Sequence, residues 1–120
     1  GGDNVDAGFL AVRAGLPAGV DALVCYNDQC AHGAILALLG DGLVPGRDML
    51  VVGCDNSAIA SSRALSLTSI DRAPSRVASL AVDQAIARAL SDGGSPARQR
   101  VDTELVVRAS TGQPRGTNCP

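Results

Sequence analysis

The chain has almost no aromatic surface: tryptophan is absent, and Phe9 and Tyr26 are the only aromatic residues among 120. Its core must therefore be assembled from Ala, Val, Leu and Ile, which bury less area per residue than aromatic rings do. Lysine is also absent. The ten basic residues are all arginine, scattered among twelve acidic ones, and the net charge is −2. Nucleic-acid phosphates are held by clustered Lys and Arg, so direct nucleic-acid binding by this segment is not expected. No apolar run approaches the roughly 20 residues needed to cross a bilayer. The opening Gly1-Gly2-Asp3-Asn4 has neither the basic nor the apolar region of a signal peptide. These absences predict a soluble protein of the cytoplasm with no membrane partner.

Clusters able to carry chemistry are equally scarce. Cys25, Cys30, Cys54 and Cys119 form no Cys-x-x-Cys pair, and His32 is the only histidine. Cysteines at strand ends and on a helix read as small buried hydrophobes rather than as a zinc site or a disulfide framework, and unpaired thiols suit a reducing compartment. Asp28 and His32 share a helix face, but no Gly-x-Ser-x-Gly elbow accompanies them, and His32 reads as structural. No GxGxxG or GxxxxGK[ST] loop is present. With no nucleophile, base, metal set or cofactor loop, the expectation is a protein that is not an enzyme and needs no cofactor.

What is present is 46% hydrophobic residues in a length that suits one compact unit. Two strand-like runs, Ala22 to Tyr26 and Met49 to Gly53, are each followed at once by amide and carboxylate side chains: Tyr26-Asn27-Asp28-Gln29 and Gly53-Cys54-Asp55-Asn56. Helices are predicted over Asp6 to Ala14, Asp28 to Leu39 and Pro74 to Leu90. Further strands are predicted over Leu67 to Ile70 and Glu104 to Arg108, with a Gly-, Ser- and Pro-rich loop at Ser91 to Gln99. This alternation gives an α/β fold with a parallel sheet of three or four strands. The start in helical sequence, with no leading strand, points to a piece of something longer. The third helix is apolar over Ala78, Ala81, Val82, Ala85, Ile86, Ala89 and Leu90, a face that calls for a partner lobe, another copy of the chain, or its own sheet.

In an open parallel sheet, ligands sit beyond the carboxyl ends of the strands, which is where the two polar peptides fall. Each candidate has a plainer reading. Asn27 and Asp28 suit helix capping as well as ligand contact, and the roles can be divided, with Asp28 capping and Asn27 facing the crevice. Asp55 suits a turn, yet a carboxylate beside an amide also matches the hydroxyls of a polyol or sugar. Arg72 follows the Leu67 to Ile70 strand and reaches the same edge, unless it merely pairs with Asp71 or solvent.

Taken in order, these segments resemble the carboxyl-terminal part of lactose-repressor-type (LacI/GalR family) transcriptional regulators. Gly2-Asp3 with Gly8-Phe9 and Ala11 is similar to that family's GD…G-(F/Y)-x-A opening. Asp21 to Gln29 with Ala31 and Gly33 is similar to its DAI(F/V)-x-x-ND-x-x-A-x-G segment. Asp48 and Val51 to Asn56 resemble D-(V/I)-x-VVG-(F/Y)-DD, Leu67 to Ile70 resembles LTTI, and Glu104 to Thr111 resembles the ELVVRxST ending. Cys54 stands where Phe or Tyr is usual, Asn56 stands for the second Asp, and Asn4 or Val5 stands where an aromatic often follows GD.

The resemblance implies one lobe of a two-lobed, periplasmic-binding-protein-like (type I) fold: a three-layer parallel α/β lobe over residues 1–111, including a crossover helix at 74–90. A poorly ordered tail is expected at 112–120. It further implies effector contacts at Asn27, Asp55 and Arg72, with Asn4 in the place that follows the opening motif. The effector would be a small polar molecule, a sugar being the leading class. A homodimer would form through Ala58 to Ala64 and the exposed side of the second helix. DNA would be reached only through a helix-turn-helix outside this chain. The alternative is a sugar-binding protein of a transport system with the same fold.

Overall fold

A computed structural model describes residues 2–90 and 98–112. The element order is α1 (Val5–Arg13), β1 (Ala22–Val24), α2 (Asp28–Gly40), β2 (Leu50–Cys54), β3 (Thr68–Asp71), α3 (Pro74–Leu90), β4 (Glu104–Val106) and a short 3-10 turn (Ala109–Thr111). The sheet order is β1-β2-β3-β4. Strands β1, β2 and β3 are parallel, in a register that sets Val24 beside Val52 and Val52 beside Thr68. The α/β class holds, but the sheet is mixed. β4 runs antiparallel to β3, with Ile70 beside Leu105, because the chain returns to the sheet edge after α3 instead of crossing over it.

Helix α2 occupies the centre of the packing. Its Ala31, Ala34, Ile35, Ala37 and Leu38 are all buried, and they share one core with Met49 and Val51 of the second strand region, Ala60, Leu67 and Val12 of α1. Such small residues allow close approach. A methyl group on Gly33 would overlap the Val5 carbonyl oxygen, and one on Gly8 would overlap that of Cys30, so α1 and α2 meet backbone to backbone. This replaces the bulk that aromatic side chains would otherwise supply.

The opposite face of the sheet is open, with Val24 76%, Leu50 37% and Leu105 54% exposed. Helix α3 has the expected bounds but buries none of its residues. The alternative in which it refolds onto its own sheet is therefore not adopted. Its apolar side chains stay in solvent, Val82 at 56% and Ile86 at 54%. Just before its start, two residues past the end of β3, Ala73 takes a left-handed φ of 49°.

The loop expected at Ser91 to Gln99 falls mostly outside the described residues, as does the tail expected at 112–120 apart from Gly112. Among the described residues, Cys25, Cys30 and Cys54 are free thiols. No described helix is long and apolar enough to cross a membrane.

Candidate binding site

The three parallel strands end in polar turns, and a groove of about 600 Å³ opens beside two of them, lined by Asp55, Arg72, Pro74, Val77, Ala78 and Ala81. Its polar end is an ion pair between Arg72 Nη2 and Asp55 Oδ1. Arg72 is thus paired with Asp55, not with Asp71. The pair is open to solvent, the Arg72 side chain 63% and the Asp55 side chain 38% exposed, so both groups remain reachable. The hydrogen bond and charge of Asp55 raise the Arg72 guanidinium above its ordinary pKa. The opposite end of the groove is aliphatic, formed by the first turns of α3.

Asp55 is held in an uncommon conformation. Its φ is 102° and that of Asn56 is 46°, left-handed values that non-glycine residues rarely adopt. Several bonds hold the turn in place. Asp55 N–H donates to Ile70 O at 2.9 Å, and Asn56 N–H donates to Ser69 Oγ at 3.0 Å. The Asn56 amide bridges two charges: its Nδ2 donates to Asp71 Oδ2 at 2.9 Å, while its Oδ1 accepts from Arg108 Nη2 at 2.7 Å. The Asn56 donor first, and then the Ala73 N–H, hold the Asp71 carboxyl below its ordinary pKa.

Asn27, and not Asp28, takes the capping role expected of Asp28. Asn27, in extended backbone, is the cap of α2: its Oδ1 accepts from Cys30 N–H at 2.8 Å, and its Nδ2 donates to Asp3 O at 2.7 Å. Asp28 does not cap. It is 1% exposed and accepts from Ser57 N–H at 2.7 Å, Ser57 Oγ at 2.8 Å and Ser69 Oγ at 2.5 Å. The physical reason is position. Asn27 is the last extended residue before the helix, where a side-chain oxygen reaches the free amides of the first turn, whereas Asp28 is already helical and points back over the sheet.

Asn4 is exposed and caps α1, accepting from Ala7 N–H at 2.9 Å. The fold brings Asp55 and Arg72 together in one groove, while Asn27 stands at the end of the neighbouring strand and Asn4 at the start of α1. The sequence reading missed Ser57 and Ser69, which hold the Asp28 carboxylate, and the α3 residues Val77, Ala78 and Ala81, which wall the groove. The small apolar spacing of α3 was the available signal for the latter. Among the described residues no group of three or more His, Cys, Asp or Glu is placed to hold a metal ion.

An open α/β lobe with a polar groove at its strand ends is an architecture that suits small-molecule binding. Residues 3–111 match the family described as periplasmic binding protein-like domain. The chain is 31% identical over 110 residues to an uncharacterised HTH-type transcriptional regulator of Streptomyces limosus, covering 92% of this chain and 31% of that protein. A LacI transcriptional regulator from a Rhodococcus species superposes with a TM-score of 0.80 at 31% identity, covering 93% of this chain and 42% of that one. The dimeric Lac repressor with an 11-residue C-terminal deletion superposes with a TM-score of 0.73 at 27% identity, covering 92% and 41%. The chain belongs to the periplasmic binding protein-like family and, within it, is part of the effector-binding domain of a LacI/GalR-type transcriptional regulator. It spans about a third of the Streptomyces relative and about two fifths of the solved ones. The Streptomyces and Rhodococcus relatives are both named as transcriptional regulators.

Proposed function

We propose that this chain forms one wall of the effector cleft of a cytoplasmic LacI-type regulator and senses a small polar molecule, most simply a sugar. The observation that carries the reading is the Asp55–Arg72 pair at the head of the groove. Together the two side chains offer a hydroxyl-bearing ligand both acceptors and donors at no net charge, and Asn27 adds an amide at the next strand end. Asn4 borders the same side of the lobe through the main-chain oxygen of Asp3, to which Asn27 donates. The aliphatic side of the groove receives the carbon skeleton. Effector binding changes the closure of this lobe against a second one and so biases DNA-binding heads elsewhere in the protein.

Dimerisation belongs to the same proposal. The exposed side of α2 carries Leu36 at 44% and Leu39 at 51% exposure, the Ala58 to Ala64 stretch is the second expected surface, and the Lac repressor relative is dimeric. Titration calorimetry on the complete gene product with a panel of neutral pentoses and hexoses tests the pocket. Asn27→Ala with Asp55→Ala is expected to abolish the heat of binding. Unchanged affinity in the double variant overturns the assignment.

A further inference from the structure

The two strand-end peptides that line the wall are joined by a single side chain, and it belongs to neither contact residue. Asp28 follows Asn27 directly and reaches across the sheet to Ser57, two residues after Asp55, and to Ser69 on β3. We propose that Asp28 is the positioning residue of the effector wall: its carboxylate sets the spacing between Asn27 and Asp55 by clamping the turn after β2 to the start of α2. This inference rests on the reading of Asn27 and Asp55 as the contact residues.

Three features carry it. First, the donors converge from two other elements, and they include a main-chain N–H that cannot turn away. A group that only accepts, with two oxygens, is what this arrangement requires. Second, Asp28 is 1% exposed and, among the described residues, no ion pair includes it. Its charge is balanced by those three hydrogen bonds and by its place in the first turn of α2, where the helix dipole favours an anion. Third, the fit is tight. A methyl group on Gly53 would overlap Asp28 Oδ1, so the carboxylate lies directly against the β2 backbone just before the turn.

The clamp also reaches the residue after Asp55. Ser69 Oγ donates to Asp28 and accepts from Asn56 N–H at 3.0 Å. One carboxylate thereby holds the Ser57 amide directly and the Asn56 amide through the Ser69 hydroxyl. These follow or include the left-handed positions Asp55 and Asn56. Without those bonds the turn would relax toward commoner backbone angles, and Asp55 would leave the geometry in which it meets Arg72.

The test needs no effector, so its outcome is separate from that of the calorimetry. Amide hydrogen exchange is measured on the complete gene product for residues 54–58 and, as an internal reference, for residues 33–38 of α2. In Asp28→Asn, exchange at Asn56 and Ser57 is expected to rise by about tenfold while α2 keeps its protection. Ser69→Ala is expected to release Asn56 by a similar factor, and Ser57→Ala, which keeps the main-chain bond, to change exchange by no more than about threefold. Should Asp28→Asn fail to fold, Ser69→Ala carries the test alone. Unchanged exchange at Asn56 and Ser57, or an equal loss of protection in α2, overturns the proposal and leaves Asp28 as an ordinary part of the core.

Discussion

The hydroxyl of Ser110 donates to the main-chain oxygen of Val51 at 2.6 Å and accepts from Thr68 N–H at 2.8 Å, 59 and 42 residues away in the chain. Ser110 is 1% exposed. A single side chain thus ties the segment that returns after α3 to both inner strands. Ser110→Ala strands a buried donor and a buried acceptor together, and is expected to cost about 2–3 kcal/mol. Urea unfolding checks it, and a loss under about 0.5 kcal/mol would show that water replaces the hydroxyl.

Asn27 has two duties that different substitutions separate. Asn27→Ala removes the α2 cap and is expected to cost about 1 kcal/mol. Asn27→Ser keeps an oxygen for Cys30 N–H but loses the amide donor that reaches Asp3 O, so stability stays within a few tenths of a kcal/mol of the parent. If Asn27 contacts the effector through its amide, both variants lose affinity alike while only the alanine loses stability. Paired thermal melts and calorimetry distinguish this from a capping role alone, for which serine would restore both.

Asn56→Asp tests the charge bridge. Asn56 Nδ2 and Ala73 N–H hold the Asp71 carboxyl low, so its stabilising contribution is present above the unfolded value of 3.8 and is lost as pH falls through the lower folded value. The substitution replaces a donor with a second negative charge. Arg108 remains at hand to pair with it, but the Asp71 midpoint is expected to rise, because a hydrogen-bond donor to its carboxylate is replaced by a like charge. A carbon-detected NMR titration reads the midpoint directly, and an unmoved value would contradict the bridge.

The Cys25 thiol gives a signature at the alkaline end. Burial, and secondarily the neighbouring Cys30, push it up to about 11 from 9.0. An unfolded thiol ionises near 9 while the folded one keeps its proton, so the unfolded state gains as pH climbs from 9 to 11 and native stability falls across that window. Below 9 the contribution is intact. The stability difference between the parent and Cys25→Ala is therefore expected to shrink from pH 9 to pH 11. The same burial predicts slow alkylation of Cys25 by iodoacetamide at pH 8.

Much of this fold is legible locally. Pro74 at a first turn followed by small apolar residues gave the bounds of α3 without error, and the runs around Val24 and Val51 marked strands because both are continuous and apolar. Strand direction at β4 was not legible, since it depends on where the chain goes after α3 and not on residues 104 to 106. The capping of α2 by Asn27 instead of Asp28 has the same origin. Both are capping residue types, and only the extended backbone at Asn27, φ −150° and ψ 178°, decides between them. Asp55 and Arg72 were each placed at the sheet edge by position along the chain, but their pairing joins residues 17 apart through the turn after β2, which no local pattern encodes. Asp28 was hardest to read. A carboxylate in a first helical turn signals exposure by habit, and its burial is set by serines 29 and 41 residues downstream.

Helix α3 has one more consequence. A stand-alone helix of 17 residues lies near the length at which water competes successfully with its backbone bonds. The described residues bury none of α3, so nothing in this part of the fold couples its order to that of the sheet and the first two helices. Since Val77, Ala78 and Ala81 are also the aliphatic side of the groove, anything that settles there stiffens α3 as it binds. Occupancy and helicity then become a single coordinate, and far-ultraviolet circular dichroism follows both.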